Sequence, residues 1–81
     1  MIKVLFFAQI REIVAVDELQ IEAKYSTAEQ LRADLCKKGD KWALALDAAK
    51  LLVAINQTIC ALDSEIKEGD EVAFFPPVTG G

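Results

Sequence analysis

The sequence predicts an α+β fold, a sheet of about five strands with one main helix across it and short additional helical segments. Three observations carry that prediction. Strand-like runs of aliphatic and aromatic residues stand at both ends of the chain, Ile2 to Ala8 and Glu71 to Phe75. A continuous apolar run, Leu51 to Ile55, reads as a buried strand. Between them lies a segment with helical spacing and a capping signature at its start.

In chain order, Ile2 to Ala8 is the first strand, and Arg11 to Ala15 reads as a connection. Glu18 to Ala23 alternates, with Leu19, Ile21 and Ala23 on one side and Glu18, Gln20 and Glu22 on the other. That is a half-buried strand, paired with the first as a hairpin. Ser26 is placed to cap the main helix, with Glu29 three residues on completing a capping box. Ala28, Leu31 and Leu35 share one helical face, and Gly39 is placed to close the far end. A second helical segment, Lys41 to Ala48, starts at Asp40 and sets Trp42 and Leu46 one turn apart. After Leu51 to Ile55, Asn56-Gln57 turns the chain and Thr58 to Leu62 returns. Glu68-Gly69-Asp70 makes another turn before the last strand, which stops at Pro76-Pro77 because proline removes ladder donors. The expected organisation is one domain, residues 1–75, followed by a flexible functional tail, residues 76–81.

Composition narrows the function. The 81 residues suffice for a single small domain, and with 53% hydrophobic and 27% charged residues the chain is globular in type. So high an apolar fraction leaves some apolar surface for a partner. The net charge of −4 and pI of about 4.6 argue against nucleic acid, which needs clustered Lys or Arg, and favour a protein partner with a basic surface. There is no histidine, so most routes to an activated nucleophile or to acid–base chemistry near neutral pH are closed. The domain is therefore expected to be non-catalytic alone. Cys36 and Cys60 fit neither a disulfide framework nor a zinc pattern and read as core fillers, and no metal site is expected. No leader-like segment is read at the N-terminus, and no apolar run reaches the roughly 18 residues needed to cross a bilayer, so a cytoplasmic protein is expected. Asp63, Glu65, Glu68, Asp70 and Glu71 read as a solvated face, and the lysines show no spacing that suggests a site.

The last six residues, Pro76-Pro77-Val78-Thr79-Gly80-Gly81, carry the chemistry. Two prolines make a stiff, extended exit from the sheet. Two terminal glycines have no Cβ and can enter a channel too narrow for side chains. The terminal carboxylate, ionised with a pKa of roughly 3.3–3.7, is a poor electrophile. Adenylation by ATP would turn it into a mixed anhydride that a sulfur donor can attack. A bare Gly-Gly ending is more often a frayed terminus; an ending that follows a strand and a Pro-Pro exit in an acidic, histidine-free domain is more than that.

Pleat alternation points to a docking surface. Ile2, Val4 and Phe6 share one face of the first strand, with Lys3, Leu5 and Phe7 on the other. In the last strand Val72 and Phe74 share a face, while Phe75 points with Glu71 and Ala73. Lys3 and Glu71 mark the more solvated faces, so Phe7 and Phe75 are candidates for exposed aromatics.

Phe74-Phe75-Pro76-Pro77-Val78-Thr79-Gly80-Gly81 closely resembles the C-terminal signature of the small, sulfur-carrying subunits of molybdopterin synthase. The likeness extends through Val4-Leu5-Phe6-Phe7-Ala8, Val53-Ala54-Ile55-Asn56-Gln57 and residues 68–75. The resemblance implies a ubiquitin-like β-grasp fold with a mixed sheet. It implies that an adenylating enzyme related to ubiquitin-activating enzymes uses ATP to adenylate Gly81, and that a sulfur donor protein then leaves a thiocarboxylate there. Gly80 serves in threading the tail, and no cofactor stays bound. The charged carrier docks on the large synthase subunit, two small subunits flanking a dimer of large ones, and sulfur passes to cyclic pyranopterin monophosphate to build the dithiolene. Phe7, Phe75 and, as the patch's third member, Ile59 would hold the partner, together with Pro76, Pro77, Val78 and Thr79. Two alternatives stand beside this reading: the sulfur carrier of thiazole synthesis, against which the Phe-Phe-Pro-Pro exit and the region around Trp42 argue, and a ubiquitin-like modifier joined to lysines through Gly81.

Overall fold

The computed structural model describes residues 1–77. They form β1 (Ile2–Phe6), α1 (Ala8–Val14), β2 (Glu18–Ile21), α2 (Ala28–Cys36), α3 (Asp40–Ala45), a 3-10 turn (Ala48–Lys50), β3 (Leu52–Ile55), β4 (Thr58–Cys60) and β5 (Glu71–Phe75). The strands lie side by side in the order β2-β1-β5-β3-β4. β1 and β5 run parallel and every other pair is antiparallel, so the sheet is mixed. Because the first and last strands are parallel neighbours, the chain leaves β5 at the same end of the sheet where β1 ends.

The first departure from expectation is the stretch after β1. The first strand stops at Phe6, and the segment read as a connection is a helix, Ala8–Val14. Ile10 and Val14 are buried and Ile13 half-buried, which is helical spacing too brief to stand out in the sequence. Ala15 ends α1 in the left-handed region (φ 61°), with its N–H donating to the Arg11 carbonyl at 2.8 Å. β2 does pair antiparallel with β1, across a helix rather than a tight turn, and it ends at Ile21, leaving Ala23 exposed.

α2 is capped one residue later than the sequence suggests. Thr27 Oγ1 accepts from the Gln30 N–H at 3.2 Å, and Gln30 Oε1 accepts from the Ser26 N–H at 2.8 Å. Tertiary structure selects this register: Thr27 bridges to Glu65, and the N–H groups of Ala28 and Glu29 donate to the carbonyls of Ser64 and Leu62. Glu29 is thereby released to grip Arg32. Ala28, Leu31 and Leu35 are buried as expected. α2 ends at Cys36 with Lys37 as its cap, so Gly39 precedes α3 instead of closing α2. Trp42 and Leu46 are both buried, and the Trp42 ring meets Phe6 edge-on at 5.5 Å.

Asn56 and Gln57 both have positive φ (50° and 70°), the signature of a two-residue type I′ hairpin between β3 and β4. β4 ends at Cys60, and Leu51 lies just before β3. At the opposite end of β5 from the tail, Gly69 (φ 88°) donates its N–H to the Met1 carbonyl at 3.0 Å, tying that turn to the start of β1.

The helices cover one face of the sheet. Ile2, Val4, Phe6, Val53, Val72 and Phe74 point into the core with Ile10, Leu31, Leu35 and Leu46. Each side chain of this size contributes on the order of 1.5–3 kcal/mol when buried. Among the described residues no helix lies over the other face.

Candidate docking face and tail exit

The uncovered face is built row by row from strand register. Lys3, Glu71 and Gln20 are partners across β1, β5 and β2 and make a polar row at one end. Two residues further along, Leu5, Ala73, Ala54 and Ile59 are successive partners across β1, β5, β3 and β4. Beyond them, Phe75 stands opposite Leu52, with Phe7 following β1 on the same side. The face thus grades from polar to aliphatic to aromatic toward the tail.

Exposure separates the three anchors expected from the sequence. Ile59 is 65% and Phe7 44% exposed, whereas Phe75 is half-buried. Phe75 stands in the sheet between Leu52, its partner in register, and the end of β1. Phe7 is held by backbone: its N–H donates to the Phe74 carbonyl at 3.2 Å, and its carbonyl accepts from Arg11. Ala8 follows with φ 52°, a left-handed conformation costing about 1–2 kcal/mol for a residue with a Cβ. That turn is what sends the chain from β1 into α1 while leaving Phe7 on the outer face.

Pro76 is half-buried and Pro77 exposed. With Ala8, Gln9 and Lys50 they line an open hollow of about 500 Å³ at the root of the tail. Gly80 and Gly81, with Val78 and Thr79, lie outside the described residues. The sequence offered no signal for Ala8 or Lys50; their place beside the exit follows from register and a turn that only the fold reveals.

The charged groups with displaced pKa values sit elsewhere. The Tyr25 hydroxyl donates to Asp34, which together with burial pushes the phenol up to about 12 and holds the Asp34 carboxyl below its usual range. Arg32, bonded to both oxygens of Glu29, lowers that carboxyl's pKa. Cys36 and Cys60 are free and half-buried, Cys36 with its Sγ 3.5 Å from Arg32 Nη1. Among the described residues no three His, Cys, Asp or Glu side chains gather in a way that would hold a metal ion, and no helix is long and apolar enough to cross a membrane. What the described surface offers is an apolar sheet face that ends at Pro76 and Pro77.

Comparison with known proteins decides the family. The model of the ThiS family matches residues 4–81. The chain belongs to the ThiS family. Among ThiS-family relatives, the molybdopterin synthase sulfur carrier subunit of Haemophilus influenzae is 63% identical over 81 residues, and that of Escherichia coli 56% identical over 81, each covering 100% of both chains. In solved structures, the complex of subunits 1 and 2 of the molybdopterin-converting factor from Helicobacter pylori contains a chain that superposes with a TM-score of 0.67 at 27% identity, covering 99% of this chain and 97% of that one. The mixed five-strand sheet with helices on one side is the ubiquitin-like β-grasp architecture expected of the family.

Proposed function

We propose that this chain is the sulfur carrier subunit of a molybdopterin synthase, with residues 1–75 as the domain that partners grip and residues 76–81 as the working tail. The observation that carries the reading is the end-to-end likeness to carrier subunits, 63% and 56% identical over the full length of both chains. The uncovered apolar face leading to Pro76-Pro77 supports it, since a carrier must present its tail while its body is held.

In the proposed cycle the Gly81 carboxylate attacks the α-phosphate of ATP on a ubiquitin-activating-type enzyme, releasing pyrophosphate and leaving an acyl-adenylate. The outer sulfur of a donor-protein persulfide attacks the acyl carbon and expels AMP. A second donor thiol then cleaves the S–S bond, leaving a disulfide on the donor and a thiocarboxylate on the carrier. The charged chain then docks on the large synthase subunit, Phe7, Ile59 and Phe75 seating the face while Pro76 to Thr79 lead the tail inward. Gly80 is small enough to pass, and Gly81 presents the sulfur to cyclic pyranopterin monophosphate. A dithiolene needs two sulfurs, so two carriers serve each product, in keeping with two small subunits on a dimer of large ones. The chain itself keeps no cofactor, and the setting is the cytoplasm.

Reconstitution with the large subunit and the pterin precursor tests the reading. Deleting Gly81 should abolish product while leaving the thermal unfolding transition in place. Intact-mass measurement of the chain isolated from cells should show a fraction with one oxygen replaced by sulfur. A ladder of conjugates to lysines, with no thiocarboxylate, would overturn the carrier reading in favour of a modifier.

A further inference from the structure

The docking face carries a charge that the apolar patch does not explain. Leu52 is the antiparallel partner of Phe75, and two residues on in either direction come Lys50 and Pro77. The two line the same hollow with Ala8, Gln9 and Pro76. Lys50 therefore stands at the margin of the aromatic row, on the side where the tail departs. The hollow's other lining residues have no ionisable side chain, and among the described residues no carboxylate lies within 4 Å of the Lys50 ammonium. Lys3, another cation of the outer face, stands in register with Glu71 at the end away from the tail. In a chain with 13 acidic and 9 basic residues, a cation at this point is a local exception to the overall sign.

We propose that Lys50 is a polar anchor of the docking face, pairing with a carboxylate on the large synthase subunit at the mouth of the opening that takes the tail. The inference rests on the carrier reading above. Its occupant is a protein surface, apolar at the centre to match Phe7, Phe75 and Ile59 and acidic where it meets Lys50. Chain reach fixes the role. Gly81 is the fourth residue beyond Pro77, at most about 14 Å away along an extended chain. With the tail run inward in an extended course, a group facing Lys50 is at the entrance and well short of the reacting sulfur, so in this proposal Lys50 orients docking and takes no part in bond making. A rim charge of this kind sets register and association rate more than total affinity.

The test uses the full chain and the large subunit, with binding followed by calorimetry at low and at roughly 0.15 M salt. Lys50→Glu should weaken binding roughly five- to tenfold at low salt and less at high salt, and Lys50→Met should lose less and flatten the salt dependence. Lys41→Glu makes the same charge change on α3, on the helical side of the sheet, and should stay within about twofold. In reconstituted synthesis Lys50→Glu should raise the carrier concentration needed for half-maximal rate more than it lowers the maximal rate. Equal losses for Lys50→Glu and Lys41→Glu would overturn the anchor, as would tighter binding by Lys50→Glu. If Phe75→Ala weakens binding while Lys50→Glu does not, the anchor alone fails and the carrier reading stands. If neither substitution changes binding, the docking face fails with it.

Discussion

Phe6 and Phe74 stack across the parallel seam of β1 and β5, ring centroids 6.2 Å apart and planes 20° from parallel. The pair is fully within the core, and each residue is followed by another phenylalanine. Strand alternation turns those followers, Phe7 and Phe75, to the opposite face. One buried pair thereby sets the register of two surface aromatics beside the tail exit. Phe75→Ala should consequently leave the core pair intact and cost under about 1 kcal/mol of stability, since Phe75 is only half-buried. Binding to the large subunit should fall by about 1.5–2.8 kcal/mol, roughly ten- to a hundredfold. Parallel thermal unfolding and calorimetric titration check this; equal losses in both would make Phe75 a core residue with no docking role.

How much of this could be read from residues alone depends on the range of the interaction. The strands, the buried stripe of α2 and the separation of Phe6 from Phe7 rest on periodicity, which is local, and they stand as expected. The cap of α2 moved from Ser26 to Thr27 because residues 62–65, distant in sequence, satisfy the first-turn N–H groups. α1 was missed because seven residues show too little periodicity to distinguish a short helix from a loop. Lys50 and Pro77 meet only through the β3–β5 register, so no spacing along the chain announces them. The chemistry proposed for the tail rests on its residue types and the family likeness, and its last four residues lie outside the described structure.

Tyr25 is the chain's one tyrosine, so its ionisation can be followed by phenolate absorbance without interference. Its hydroxyl donates to Asp34, and that bond, with burial, pushes the phenol up to about 12 from an ordinary value near 10. A raised folded-state pKa means the stabilisation is fully present below about pH 10 and is lost as the pH rises toward 12. The absorbance midpoint in the folded chain should therefore lie near 12, and in Asp34→Asn it should fall back toward 10. A wild-type midpoint near 10 would show that the bond to Asp34 does not persist in solution.

Arg32 joins two helices through one guanidinium. Nε and Nη2 donate to the two oxygens of Glu29 at 2.8 and 2.6 Å, and Nη1 donates to the Leu46 carbonyl at 2.8 Å, just past the end of α3. That carbonyl has left the helical ladder, so losing its donor leaves it poorly satisfied. Arg32→Met should destabilise the fold by about 1–3 kcal/mol, measured by denaturant midpoint at unchanged slope. Arg32→Lys should recover little, because an ammonium has no fork to span Glu29 and reach Leu46 together. Full rescue by lysine would reduce the interaction to simple charge.

Gln57 marks a place where stability can be added without touching the docking face. It occupies the second central position of the β3–β4 turn at φ 70°, where a residue with a Cβ is strained. Asn56, at φ 50°, has a reason to stay: its side-chain oxygen accepts from the Glu71 N–H at 3.0 Å and its amide donates to Asp70 at 3.0 Å. Those bonds fasten the hairpin to the start of β5, at the end of the sheet remote from the tail. Gln57→Gly creates the Asn-Gly pair that type I′ turns favour. Relief of left-handed strain exceeds the added entropy of the unfolded chain, for a net gain of about 0.5–1 kcal/mol. In a domain of this size that corresponds to a rise of roughly 2–8 °C in melting temperature. Affinity for the large subunit should stay unchanged, since the turn lies beyond the polar row of Lys3 and Glu71; a loss of affinity at unchanged stability would extend the docking face to the hairpin.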